Sequence, residues 1–235
     1  MTEASVNLAE DDVLLEMMQS AGFHRVFLGI ETPAPASLKE ANKSQNTKRD
    51  LLESVKKIQS YGIEVMAGFI IGFDNDPEDI FERQINFIRE SAIPLAMVGL
   101  LTALPDTQLW KRLEREGRLV HESSGNNTDC SLNFVTKMDR ERLVEGYKAV
   151  LRNIYSPQEF YQRALDCLSR VRNNAVELQR VNFIRVTKSV FKIILRLGVR
   201  DRERFRFWNY FFRVAVFHPR SLGNGIALAA MGYHF

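Results

Sequence analysis

Glu31 stands directly after the apolar run RVFLGI (25–30). A carboxylate at the end of such a run can accept hydrogen bonds from both hydroxyls of a ribose. It can equally be a loop carboxylate or a helix cap. Further on, Gly68-Phe69-Ile70-Ile71-Gly72 places bare backbone beside the apolar surface of Ile70, so a flat ring could approach closely. The same glycines could instead relieve crowding in a packed strand. Glu3 follows a short first strand and is expected to face the same opening. Cys130 and Cys167 lie far apart, and His24, His121, His218 and His234 are scattered. Neither a zinc site nor a disulfide framework is indicated, and a reducing, cytoplasmic setting fits.

These residues need a scaffold, and the pattern supplies one. A helix from Asp11 with Leu14, Leu15, Met17, Met18 and Ala21 near one face closes at Gly22. The strand Arg25 to Ile30 follows, then a short helix around Ser37 to Ala41, and then a helix capped at Thr47 that ends at Gly62. IEVMAGFII (63–71) is almost wholly apolar, as expected of a parallel strand buried on both faces. Asp76 and Pro77 read as the N-cap and first residue of the next helix, after which LAMVGLLTA (95–103) leads into QLWKRLERE (108–116). Ligands of such βα repeats bind where the strands end, at their carboxyl side. The predicted fold class is α/β, a partial (β/α) barrel of three to four strands followed by an all-helical C-terminal domain. Residues 1–125 form the barrel part, 126–138 a polar linker and 139–235 the helical domain.

Charge divides along the same line. Residues 1–138 carry a net −7 and residues 139–235 a net +10. Such asymmetry predicts two regions with different partners.

The ordered strings GIETPAPASLKEANK, GFIIGFDNDPEDIFERQINFI and LLTALPDTQLWKRLEREGRL resemble the second half of a radical S-adenosylmethionine core, of the branch that often carries an upstream cobalamin-binding domain. SSGNNTDCSLNF with EGYKAVLRNIYSPQEFYQRAL resembles the helical domain of unknown function that follows such cores, including in proteins similar to hopanoid C-methylases. The resemblance implies that Glu31 is the polar residue for the ribose. Gly68, Ile70 and Gly72 match a G-x-I-x-G-x-x-E pattern beside the adenine, with Asn75 in place of the final glutamate. It also implies that the backbone around Leu100, within Val98 to Leu101, lies against the adenine.

The cofactors implied are S-adenosylmethionine, with a [4Fe-4S] cluster and cobalamin in full-length relatives. The C-x-x-x-C-x-x-C loop that would hold the cluster is absent from these 235 residues, which contain two cysteines. The expectation is a C-terminal piece of a radical enzyme for methyl transfer or related modification of an apolar or lipid-like substrate, inactive alone, with no catalytic residue or metal ligand assigned. The alternative is a non-catalytic remnant or interaction module that needs a second polypeptide. An open barrel edge at residues 1–6 would favour self-association.

Residues 200–217 interleave Arg200, Arg202, Arg204, Arg206 and Arg213 with Phe205, Phe207, Trp208, Tyr210, Phe211 and Phe212. This suits an anionic membrane surface, which would place the chain at the inner face of the membrane, or a helix packed with its arginine stems along the barrel. No RNA-binding motif supports a nucleic-acid partner.

Overall fold

The computed structural model describes residues 1–47, 50–121, 132–171 and 183–233. Cys130, His234 and the Ser123-Asn127 run lie outside them. Four parallel strands, β1 (Thr2–Ala4), β2 (Arg25–Glu31), β3 (Glu64–Ile71) and β4 (Ala96–Leu100), pair in sequence order. Sequential parallel order with helical crossovers is how barrels are built. The first crossover carries α1 (Asp12–Ser20). The second carries α2 (Pro35–Glu40), α3 (Ser44–Thr47) and α4 (Leu51–Ser60), and the third carries α5 (Ile80–Glu90). After β4 come α6 (Gln108–Arg115), α7 (Arg140–Ile154) and α8 (Pro157–Arg170). The chain finishes with α9 (Phe183–Ile193), continued by π-type turns over Ile194–Arg200, then α10 (Arg204–Phe217) and α11 (Leu222–Gly232).

Local chemistry starts and stops these elements. The Asp11 carboxylate accepts from the Leu14 N–H at 2.8 Å and begins α1. Gly22 and Gly62 both have φ +80° and turn the chain into β2 and β3, a region where residues with a Cβ are strained. Two expected caps are corrected. Asp50, not Thr47, caps α4, accepting from the N–H groups of Leu52 and Glu53. Helix α5 starts only after Asp79, because the Asp76 carboxylate is committed elsewhere. On α1 only Leu15 and Met18 are buried, while Leu14 and Met17 are exposed.

The sheet has one covered face. Val26, Leu28, Ile30, Val65, Ala67, Phe69 and Ile71 are buried together with side chains of α4, α5 and α7. On the other face Phe27, Met66 and Ile70 are half-buried and Met97 is 53% exposed. The expectation that both faces of β3 are buried therefore fails: the strand is apolar on both sides, but these helices all cover the same one. Leu143, Tyr147, Val150 and Ile154 of α7 belong to that sheet core. Leu132, Asn133 and Phe134, inside the expected linker, are buried too, with Asn133 bonding both the N–H and the carbonyl of Ala103.

The remaining helices form a second core. Phe160, Ala164, Leu165 and Leu168 of α8 pack with Phe207, Tyr210 and Val214 of α10, with Leu228 of α11, and with Leu95 just before β4. Arginines fasten this layer to the amino end of the sheet. Arg163, fully buried, donates to the carbonyls of Ile93 (3.2 Å) and Pro94 (3.4 Å). Arg170 donates to the Glu90 carbonyl at 3.0 Å and to the Gln59 side chain at 3.4 Å. The Tyr155 hydroxyl donates to the Ala96 carbonyl at 2.9 Å, and burial pushes its pKa up to about 12.

Candidate functional site

At the opposite, carboxyl end of the sheet lies a cavity of about 330 Å³, lined by Glu31, Lys43, Ile70, Phe73, Leu101 and Thr102 among others. Its size and mixed lining fall within the range of small-molecule sites.

Glu31 reaches it through a distorted strand end. The β2–β3 register shifts between Gly29 and Glu31, and Glu31 has φ +68°, a left-handed conformation strained for a glutamate. The carboxylate folds back over Gly29, where a Cβ would sit 2.8 Å from Oε1. Lys43 Nζ holds the same oxygen at 3.1 Å. Gly29 thus makes room for the carboxylate and Lys43 fixes it. Behind them Asn46, buried, donates to the carbonyls of Gly29 and Ile30.

The other predicted residues separate by role. Ile70 lines the cavity. Gly68 lies on the same sheet face, but the Phe27 ring occupies the space it leaves, 3.2 Å from where a Cβ would be. Gly72 has φ +110° and sits against Leu101 and Leu143, so its backbone makes the turn that ends β3. The Leu100 side chain points into the sheet core, and it is Leu101 that lines the cavity. The Leu100 carbonyl accepts from the Thr102 hydroxyl at 3.3 Å. Glu3 pairs in register with Phe27, is exposed, and is not among the cavity residues.

A partly buried polar network, unforeseen from the sequence, shapes the rim. Asp76 Oδ2 accepts from the N–H groups of Gly72 (2.8 Å) and Phe73 (3.0 Å), and Oδ1 from the Ser37 hydroxyl at 2.6 Å. Glu40 accepts from the backbone and side chain of Asn75 and from Arg112 at 2.7 Å. At the position of the motif's glutamate, Asn75 therefore binds a glutamate brought from α2. Arg118 grips Asp74 with two bonds of 2.7 Å, and Arg112 adds one of 3.2 Å. The loop after β2, the loop after β3 and helix α6 are locked to one another.

This lock carries a pH signature. Burial alone would push the Asp74 carboxyl up, but the Arg118 bonds and the charges of Arg118, Arg112 and Lys137 hold it below its ordinary 3.8. A depressed folded-state pKa gives stabilisation that is complete above the unfolded value and is lost as pH falls through the folded one. Asp74→Asn should therefore cost about 1–3 kcal/mol at neutral pH. The gap in urea midpoint between variant and parent should begin to narrow as pH falls below 3.8 and close only once pH has passed below the depressed folded-state value. A gap that does not narrow at all as pH falls below 3.8 would count against the Arg118–Asp74 lock.

Among the described residues no group of three or more His, Cys, Asp or Glu side chains is placed to hold a metal ion. Cys167 is buried in α8, and burial pushes its thiol well up, away from the thiolate a metal needs.

The family model described as a domain of unknown function, DUF4070, matches residues 107–235. An uncharacterized methyltransferase of Synechocystis sp. is 38% identical over all of this chain and 44% of its own length. The hopanoid C-2 methylase of Rhodopseudomonas palustris is 36% identical over 90% of this chain and 40% of its own. The bacteriochlorophyllide d C-12(1)-methyltransferase of Chlorobaculum tepidum is 26% identical over 68% of this chain and 35% of its own. The chain thus spans less than half the length of these curated relatives.

Proposed function

The chain belongs to the DUF4070 family, whose domain follows the radical S-adenosylmethionine core in hopanoid methylases, and from that membership we propose that its strand ends hold the adenosine part of S-adenosylmethionine for methyl transfer to an apolar, lipid-like substrate. The observation that carries this reading is the cavity at the carboxyl ends of β2, β3 and β4, with the Glu31 carboxylate held at its wall by Lys43.

In this reading Glu31 accepts from the ribose hydroxyls, since an ionised carboxylate offers two acceptor oxygens to a vicinal diol. Ile70 and Leu101 supply apolar contact to the base, and the backbone near Leu100 and Thr102 supplies polar contact at its edge. The Asp76 turn and the Asp74–Arg118 lock keep the rim in place before the ligand arrives, which lowers the ordering cost of binding. Phe27 and Met97, on the sheet face that α4, α5 and α7 leave uncovered, offer a wall for an apolar substrate. The names of two relatives, a hopanoid methylase and a bacteriochlorophyllide methyltransferase, support methyl transfer as the reaction.

The iron–sulfur cluster does not fit these residues. The sequence holds two cysteines, one of them buried in α8, where three thiolates are needed. No cleavage step is assigned to this chain, and cobalamin enters no step either.

The test is equilibrium binding of S-adenosylmethionine to this chain with adenosine as competitor. Adenosine should compete, and 2′-deoxyadenosine should compete about tenfold less well, the loss of one hydrogen bond to a charged group. Absence of binding at millimolar ligand would overturn the reading and favour a non-catalytic module.

A further inference from the structure

Helix α10 is amphipathic in an unusual sense: both of its faces are apolar, but only one is covered. Phe207, Tyr210 and Val214 are buried against α8 and α11, with the Tyr210 hydroxyl donating to the Gly225 carbonyl at 2.9 Å. On the other side Phe205, Asn209, Phe212 and Val216 follow one another at helical spacing, and Phe205 is 74%, Phe212 59% and Val216 68% exposed. Isolated apolar side chains on a surface are ordinary, whereas an uncovered stripe along one helix points to a partner.

Cations border the stripe. Arg202, Arg204, Arg206 and Arg213 are all exposed. Arg204 lies over the Phe205 ring at 4.9 Å, while Arg206 and Arg213 are steadied at the margin by Gln158 and Gln162. Residues 183–233 hold ten Lys and Arg against two acidic residues. An apolar stripe with a cationic border is the pattern of a helix lying in the plane of an anionic lipid interface. A second copy meeting this face about a two-fold axis would bring like-charged borders together. A single nucleic-acid strand would want cations along its track, not at the edges of an apolar band.

We propose that α10 seats this chain on the surface of an anionic lipid bilayer, with Phe205, Phe212 and Val216 inserted and the arginines at the headgroups. No helix among the described residues is long and apolar enough to cross a membrane, so the contact is with one leaflet. The stripe faces away from α8 and from the sheet beneath it, so the proposal is independent of what the cavity binds.

The experiment is flotation of the chain with phosphatidylcholine vesicles containing about 30% phosphatidylglycerol, against phosphatidylcholine alone, in about 50 mM and about 500 mM salt. The expected result is partition at least about tenfold stronger into the anionic vesicles at low salt, weakened at high salt. Phe205→Ser with Phe212→Ser should cut that partition about tenfold or more without moving the unfolding midpoint, because both rings are exposed. Arg202→Gln with Arg204→Gln should lower partition into the anionic vesicles only. No flotation at low salt overturns the proposal, as does flotation unaffected by the phenylalanine pair. A dimer abolished by that pair, or single-strand nucleic-acid binding abolished by the arginine pair, each without flotation, overturns it in favour of those partners.

Discussion

Arg163→Ala is expected to lower the unfolding free energy by about 2–4 kcal/mol, through a large cavity and two carbonyls left without a donor. The side chain is buried, its guanidinium bonds the Ile93 and Pro94 carbonyls, and it lies 5.9 Å from the Phe160 ring centre. No acidic group is in ion-pair contact with it among the described residues, and burial draws its pKa down to about 10. The charge itself is therefore a cost that packing and hydrogen bonding offset. Two substitutions separate these terms. Arg163→Met restores most of the volume and removes the buried charge, and it should lie within about 1.5 kcal/mol of the parent. Urea unfolding of the pair gives both values. Equal losses for Ala and Met would mean that the hydrogen bonds, not the packing, hold α8 to the sheet.

The second large effect is at Glu31, where stability and binding should move in opposite directions. Glu31→Ala removes both acceptor oxygens and should weaken S-adenosylmethionine binding by about 10- to 100-fold. Glu31→Gly removes them as well and should bind equally poorly. It also relieves a backbone held at φ +68°, so it should be as stable as the parent or more stable by about 1 kcal/mol, the lost pair with half-exposed Lys43 counting for little. A glycine variant that is both tolerated and inactive in binding would identify the strain as serving the ligand. If Glu31→Gly instead binds normally, the carboxylate does not contact the ribose, and the bulge is a feature of the fold alone.

Much of this architecture was readable from local chemistry. The apolar runs at 25–30 and 63–71 gave strands, and Gly22 and Gly62 gave the turns before them, because such signals act over a few residues. Glu31 and Ile70 could be placed at one opening because strand ends in a βα repeat converge. What escaped depends on distant partners. Asp76 has the sequence of a helix cap, yet Ser37, 39 positions earlier, helps recruit it to the end of β3. Glu40, Asp74, Arg112 and Arg118 form one network over separations of up to 72 residues. Gly68 was legible as an open position, but not that Phe27 from the neighbouring strand fills it. Helix α11 falls inside the expected helical domain although Gly223, Gly225 and Gly232 argue against a helix by propensity; Gly225 and Gly232 lie where Val214 and Phe160 leave no room for a side chain.

The arginine fastenings at the amino end of the sheet also imply an order of assembly. The strand pairs join segments that are neighbours in the chain, whereas Arg163 reaches back 70 residues to Ile93 and Arg170 reaches 111 to Gln59. Closing such long loops gains little until the carbonyls they bind are already in place, so the sheet with α4, α5 and α7 must largely exist first. Until α8 arrives, Leu95 and Met66 are uncovered, and that interval is when the folding chain is most open to aggregation. In pulsed hydrogen exchange during refolding, the amides of β3 should gain protection before those of α8 and α10.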